Sequence, residues 1–217
     1  MFEYPPATLV NRVIPKTKIL ENARPTARLK ALLTQEIQQI RWHAKLSPET
    51  VKLAATPQVP EIQIFHLKLK GPDIHTDLLQ LLDRTIPQPI LFELENADGL
   101  LAHSAAHKRP SEADVSQWVT GPRFTASFGK APATFPPLPT ALDLGRLYAA
   151  LLAPLLPLAA RKGESLPGQI TRCDQYQSQQ RKLAQLTAKV NREKQFNRRV
   201  ALNQELNALK AELGRLS

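Results

Sequence analysis

The last fifty residues of the chain, from about Gly168 to Ser217, most constrain what it can fold into. They contain no proline and are dense in Gln, Arg, Lys, Leu, Ala and Glu, a composition typical of a long helix or a coiled coil. One uninterrupted helix over residues 168–216 would be about 73 Å long, more than a body of this size can bury. This stretch therefore predicts a helical arm that folds back on itself or pairs with another chain.

Two heptad segments in the arm are out of phase with each other. The first contains Leu183, Leu186 and Val190, and the second contains Leu202, Leu206, Leu209, Leu213 and Leu216. The phase change predicts a stutter, a kink or the bend of a helical hairpin over residues 191–199. An intramolecular hairpin and an intermolecular coiled coil both fit this pattern.

Most of the excess positive charge lies in the arm. The chain has 29 Lys and Arg against 19 Asp and Glu, and residues 161–217 hold 12 basic and 5 acidic side chains, which is a net charge of +7. The candidate nucleic-acid-binding residues are Arg181, Lys182, Lys189, Arg192, Lys194, Arg198 and Arg199, with Glu193 as the one acid among them. Such a cluster favours phosphate backbones, anionic lipid or acidic protein surfaces, and it also fits a solvated helix face. Phe196 lies within this cluster, and we expect its ring either to pack on neighbouring side chains or to stack on a base.

The first part of the chain predicts a body with both helices and strands. The apolar spacing predicts a helix over residues 25–43, and Asp73 is expected to cap a second helix that stops before Pro87. Strands are expected at residues 61–70, with a bulge after Ile64, at 90–95 and 100–108, and as a strand or pair over 116–127. The predicted fold class is α+β, a small mixed β-sheet with packed helices, followed by a long C-terminal helical arm.

Prolines divide the chain into three predicted parts. Residues 1–128 form the α+β body, which begins with an extended segment marked by Pro5, Pro6 and Pro15. Residues 129–164 form a proline-rich tether whose short apolar helix, residues 141–152, docks on the body or on a partner. Residues 165–217 form the arm, and Ser165 is the expected cap of its helix.

The sequence supplies no recognisable metal or cofactor motif, and we predict no metal, no cofactor and no catalytic residue. His103 and His107 would lie about 13 Å apart along a strand, too far to share an ion. Cys173 has no histidine near it in sequence and forms no internal disulfide, because it is the single cysteine. A divergent metal-dependent nuclease using Glu61, Glu93 or Glu95, with Lys108 across the hairpin, is the enzymatic alternative.

The composition predicts a cytoplasmic protein without a membrane segment. No apolar run approaches the roughly 18 residues of a membrane span, and residues 1–6 lack the basic start and apolar core of a signal peptide.

Several segments together resemble a bacterial and archaeal family classed as a domain of unknown function. They are Leu9 to Lys16, Lys45 to Thr50, Val59 to Phe65, Lys108 to Ser111 and Glu193 to Arg198. Members of that family look like neighbours of DNA methyltransferase and restriction-like helicase genes in phage-defence islands. The resemblance implies that the gene lies near such genes, and it supplies no catalytic residues.

These observations lead to three hypotheses. The first is a non-catalytic accessory subunit of a DNA restriction or anti-phage defence system. Its body would dock on a helicase or methyltransferase subunit, and its arm would contact DNA or that partner. The second is the divergent nuclease. The third is a coiled-coil protein that forms a homo-oligomer through the arm and does not contact DNA.

Overall fold

The protein is described by a computed structural model that covers residues 1–114 and 117–216. The helices are α1 (Lys16–Ala23), α2 (Ala27–Glu36), α3 (Pro48–Val51), α4 (Thr76–Thr85), α5 (Leu144–Leu152), α6 (Leu166–Arg192) and α7 (Phe196–Leu216). The strands are β1 (Leu9–Val13), β2 (Ile37–Leu46), β3 (Ile62–Leu69), β4 (Ile90–Glu95), β5 (Leu101–Pro110) and β6 (Trp118–Thr125). Single 3₁₀ turns lie at Pro6–Thr8 and Ala153–Leu155.

The six strands form one mixed sheet in the order β1-β2-β3-β4-β5-β6. All neighbouring pairs are antiparallel except β3 and β4, which are parallel because α4 carries the chain back between them. The predicted α+β class with a mixed sheet is therefore confirmed. The predicted hairpin of residues 90–108 is present as β4 and β5.

The two faces of the sheet are covered by different elements. Leu67 and Leu94 point to the face on which α1, α2 and α4 pack, and there they join the main apolar core. The opposite face carries α5, whose Tyr148 donates a hydrogen bond to Ala106 O at 2.9 Å and accepts one from Lys108 N at 3.2 Å. The short apolar helix predicted over residues 141–152 thus docks on the body.

The helix predicted over residues 25–43 is wrong in its second half. Thr26 caps α2 by accepting a hydrogen bond from Leu29 N, but α2 ends at Glu36 and the chain continues directly into β2. Ile37 and Ile40 fit helical spacing and also face the core from a strand whose register shifts. Pairing with β1 on one side and β3 on the other overrides the local helical pattern.

Three smaller expectations about the body also need correction. The opening segment contains a 3₁₀ turn at Pro6–Thr8, is extended in β1, and gives way to α1 directly after Pro15. The helix that Asp73 was expected to cap is capped two residues later, by His75, which accepts a hydrogen bond from Asp77 N, so the helix begins at Thr76.

The bulge expected in β3 after Ile64 is also misplaced. Strand β3 pairs with β4 without interruption, and both register shifts of the β2–β3 pair place the extra residue in β2, one of them at His43. Ile62 to Phe65 are all buried because both faces of this central strand are covered, which accounts for the run of apolar residues.

The chain divides into two compact units, residues 1–155 and 156–217, and the second unit contains the arm. Its helices α6 and α7 pack against each other, burying Leu186, Leu206 and Leu213. The arm is thus a helical hairpin within one chain, and its bend at residues 193–195 lies inside the predicted window. Ser165 caps α6 as expected, since its hydroxyl accepts a hydrogen bond from Gly168 N.

Among residues 1–114 and 117–216, every helix is too short or too polar to cross a membrane.

Candidate functional site

The bend of the helical hairpin is a short and well-bonded turn. Helix α6 ends where Glu193 N returns a hydrogen bond to Lys189 O at 3.0 Å. The Glu193 carboxylate accepts a hydrogen bond from Gln195 N at 2.8 Å, and Gln195 O accepts one from Arg199 N at 3.0 Å. The one acidic side chain of the basic stretch is therefore engaged in holding the turn, and α7 begins at once with Phe196.

All seven basic residues predicted to bind nucleic acid are exposed. Residues 181–199 contain these seven cations and one acid, Glu193, so their net charge is +6. Within the part of the chain that the structure describes, no carboxylate lies within ion-pair distance of any of the seven. None of the seven charges is therefore neutralised by a direct ion pair with another described residue.

The structure places six of the seven cations in two groups, and the seventh, Arg181, lies on the exposed face of α6. Lys182 and Lys189 line a groove between the two helices, together with Glu205 and Glu212 of α7. Four others lie at the bend with Phe196, and we call these five residues the tip cluster: Arg192, Lys194, Phe196, Arg198 and Arg199. Only the tip cluster combines concentrated positive charge with an exposed aromatic ring, because Phe196 is 69% exposed.

The open end of the hairpin, where α6 starts and α7 finishes, is fastened by Arg172. Its guanidinium donates to both carboxylate oxygens of Glu164, at 2.8 and 2.7 Å, and to Leu216 O at 2.8 Å. The hydrogen bonds from Arg172 and from Arg161 N hold the pKa of Glu164 at about 2. This fastening satisfies a terminal carbonyl of α7 and keeps the two helices in register.

A second cluster lies on the sheet of the body and centres on Glu93 of β4. Its side chain has no exposed surface, and Tyr4 Oη donates a hydrogen bond to Oε1 at 2.9 Å. His43 Nδ1 lies 2.8 Å from Oε2, and His103 Nε2 lies 3.9 Å from Oε1. Strand register explains the grouping, because His103 is paired with Glu93 across β4–β5 and His43 is the extra residue of a register shift in β2.

The environment of Glu93 keeps it ionised. Burial by itself raises the pKa of Glu93, but the imidazoles of His103 and His43 and the hydroxyl of Tyr4 outweigh it and hold the pKa at about 2. Aromatic contacts continue the cluster, since Phe2 stacks on His103 at a centroid distance of 5.6 Å and Tyr4 meets His43 edge-on at 5.1 Å. The arrangement is a buried carboxylate with partly exposed imidazoles around it.

The carboxylates of the nuclease alternative are only partly brought together. Glu93 and Glu95 lie on the same face of β4, and Glu95 pairs with His66 at 3.2 Å and Lys68 at 3.1 Å. Glu61 pairs with Lys45 at 2.7 Å. His66 of β3 is the residue paired with Glu93, and Glu61 lies five positions before it. Five positions span about 16 Å along a strand, so Glu61 is far from Glu93.

Lys108 does not lie across the hairpin from these carboxylates, as the nuclease alternative assumed. It points to the opposite face, fully buried, and donates hydrogen bonds to Asp83 O and Ile86 O at the end of α4. Burial lowers its pKa to about 7. Among the described residues, no group of three or more His, Cys, Asp or Glu side chains is arranged to hold a metal ion.

Two further residues considered from the sequence have structural surroundings. His107 stacks on Tyr148 at 6.3 Å, whereas His103 faces Glu93. Cys173 is buried, and its thiol donates a weak hydrogen bond to Leu158 O. Burial raises the pKa of the thiol, so the reactive thiolate is disfavoured.

A family model with the description Domain of unknown function (DUF4391) matches residues 2–213. The chain belongs to the DUF4391 family. The resemblance to a family of unknown function is thereby confirmed over nearly the whole chain. No curated protein and no solved structure matches this DUF4391 chain. Both the Glu93 cluster and the tip cluster lie inside the matched region.

The Glu93 cluster could not be found from the sequence. Its members come from positions 4, 43, 93 and 103, so no local spacing connects them. The one signal was a glutamate inside the run Ile90 to Leu94, which otherwise has the apolar composition of a buried strand. A charge at such a position requires partners, but their identity depends on which strands become neighbours.

Proposed function

We propose that this DUF4391 chain is a non-catalytic accessory subunit of a DNA restriction or anti-phage defence system, and that its hairpin tip contacts nucleic acid. The observation that carries the proposal is the tip cluster, in which four exposed cations without ion-pair partners lie within four residues of an exposed aromatic side chain. Arginine and lysine in such an array bind phosphate groups and release condensed counterions.

The shape of the hairpin supports contact through its tip. Helix α6 has 27 residues, so it is about 40 Å long, and its cations are concentrated towards the bend. The apolar residues of α6 and α7 are used against each other along the stem, and the tip cluster is left with polar and aromatic groups to offer. A narrow, positively charged end of this kind fits a groove or a strand of nucleic acid.

For the body we propose docking on a helicase or methyltransferase subunit. This part of the proposal is supported by the resemblance to a family whose members look like neighbours of such genes. Co-purification of tagged full-length chain from its native host, followed by identification of the bound proteins, tests it. Recovery of neither type of enzyme would count against this partner.

A salt titration of DNA binding tests the role of the tip. Fluorescence anisotropy with a labelled duplex should give an affinity that falls linearly with the logarithm of salt concentration. Replacing Arg192, Lys194, Arg198 and Arg199 by Ala should weaken binding at least about 10-fold and reduce the salt slope by about 3. Unchanged binding by this variant would remove the tip from the proposal.

A matched control is available in the first compact unit, residues 1–155. Arg12, Lys18, Lys30 and Lys130 are all exposed, and replacing them by Ala removes the same four charges. If net charge alone governed binding, this control variant would lose as much affinity as the tip variant. We expect it to lose less than about 2-fold.

The divergent nuclease and the self-associating coiled coil remain alternative predictions. The Glu93 cluster favours Glu93 as the centre of any chemistry on the body, because a buried ionised carboxylate beside imidazoles is common at functional sites. Incubating the protein with plasmid and Mg²⁺ or Mn²⁺ tests this alternative. Cleavage that is lost in Glu93→Gln while circular dichroism shows the fold intact would replace the accessory role with an enzymatic one. A dimer in solution that dissociates when α7 is disrupted would favour self-association.

A further inference from the structure

We infer that the hairpin tip binds unpaired nucleic acid by stacking Phe196 on a base, so that its ligand is a single strand or the single-stranded part of a junction. This inference rests on the proposed function, and it adds the class of nucleic acid and the residue that selects it.

The first argument is the exposure of Phe196. Its ring is 69% exposed, although the ring of a phenylalanine is normally a large contributor to a core. Among the described residues no other aromatic ring contacts it and no cation lies over it, so the ring is not engaged in a stacking contact. From the sequence, packing and stacking were both open for this residue. At 69% exposure most of the ring lies outside the packed contact between α6 and α7.

The second argument is that Phe196 is held in a defined place. It is the first residue of α7, directly after a turn of three residues in which Glu193 and Gln195 are hydrogen-bonded to the backbone. Because this connection is short, binding restricts only the side-chain torsions of Phe196. The turn therefore presents an aromatic surface that is already positioned.

The third argument is the charge around the ring. Arg192, Lys194, Arg198 and Arg199 all lie within four residues of Phe196, and the nearest acid is the turn-forming Glu193. This combination of cations and an exposed ring is how proteins hold single strands, with cations following the phosphates and aromatic rings stacking on bases. Bases of a duplex are already stacked on each other and do not offer a free face. An acidic protein surface would satisfy the cations but would leave the ring without a matching group.

The test compares single-stranded and duplex DNA with variants of Phe196. Oligothymidylate and a blunt duplex are titrated with wild type, Phe196→Ala, Phe196→Leu and Phe196→Trp, after circular dichroism has shown unchanged helix content. Phe196→Ala and Phe196→Leu should weaken single-strand binding about 5- to 150-fold and duplex binding less than about 2-fold. Phe196→Trp should retain single-strand binding.

Val200 supplies the matched control, because it is also an exposed apolar residue of α7, at 41% exposure. Val200→Ala should leave binding of both DNAs unchanged. A base analogue gives a second readout. The fluorescence of 2-aminopurine in the oligonucleotide should be quenched by wild type and much less by Phe196→Leu. Salt slopes should be the same for wild type and Phe196→Ala, because phosphate contacts remain.

The outcomes separate this inference from the proposed function. If Phe196→Leu retains full single-strand affinity, or if single-strand and duplex affinities fall equally in Phe196→Ala, stacking is wrong. The proposed function still stands in that case, provided that the variant with all four tip cations replaced by Ala loses binding. If wild type binds neither DNA, both are wrong, and an acidic protein surface becomes the better ligand for the tip.

Discussion

Glu93 accepts a hydrogen bond from Nδ1 of His43 at 2.8 Å, across fifty positions of sequence and two strand boundaries. The carboxylate has no exposed surface, so its charge depends on this imidazole and on the hydroxyl of Tyr4. A buried charge with partners is tolerated, whereas a buried charge that loses them destabilises the fold strongly.

Glu93→Gln should therefore destabilise the body. The amide keeps the shape of the side chain but removes the charge, and its NH₂ group must face a donor from Tyr4 or His43. We expect a loss of about 2–4 kcal/mol in the free energy of unfolding, measured by urea denaturation. Glu95→Gln is the control, because Glu95 is 26% exposed and should lose less than about 1 kcal/mol. Equal losses in the two variants would contradict a special role for Glu93.

The stability of the body should also fall in acid because of Glu93. Its pKa is about 2 in the folded protein and close to 4.5 in the unfolded chain, so between these values the unfolded state binds more protons. The stabilisation is complete above pH 4.5 and is lost as the pH falls towards 2, at no more than about 1.4 kcal/mol per pH unit.

Comparison of wild type with Glu93→Gln isolates this contribution. Glu164 in the arm also has a lowered pKa, so wild type will lose stability in acid from more than one group. The difference in unfolding free energy between the two proteins should shrink as the pH falls from 5 to 3 in urea denaturation. A difference that stays constant over this range would mean that the Glu93 pKa is not lowered.

Arg172→Met should loosen the open end of the hairpin. The variant keeps an unbranched apolar chain but loses the paired hydrogen bonds to Glu164 and the bond to Leu216 O. We expect a loss of about 3 kcal/mol and faster amide hydrogen exchange at the end of α7. Arg181→Met on the exposed face of α6 should change stability by less than about 0.5 kcal/mol. Unaltered exchange in Arg172→Met would show that helix packing alone fastens the hairpin.

The two groups of arm cations should differ in their effect on DNA binding. Lys182 and Lys189 share their groove with Glu205 and Glu212, which lowers the local positive potential, whereas Arg198 and Arg199 have no acid beside them except Glu193. Arg198→Ala with Arg199→Ala should weaken duplex binding about 5-fold or more, and Lys182→Ala with Lys189→Ala less than about 2-fold. Anisotropy titrations at one salt concentration measure both. The opposite order would move the contact from the tip to the stem.

The arm shows how much a sequence can determine when its signals are local. Ser165 caps α6, and the loss of heptad phase marks the bend that the structure has at residues 193–195. Each of these depends on residues within a few positions of each other, where helical geometry is fixed by the backbone. The exposed basic residues of the tip were identified in the same way.

Strand β2 and Glu93 show what only the tertiary structure decided. Residues 37–43 continue a helical pattern, and they become a strand because β1 and β3 lie on either side of them. Glu93 acquires His43, His103 and Tyr4 through the order of the strands and a register shift, none of which has a local signature. The free energy of pairing between distant segments is gained only in the folded sheet. The pattern of neighbouring residues in the sequence therefore does not predict it.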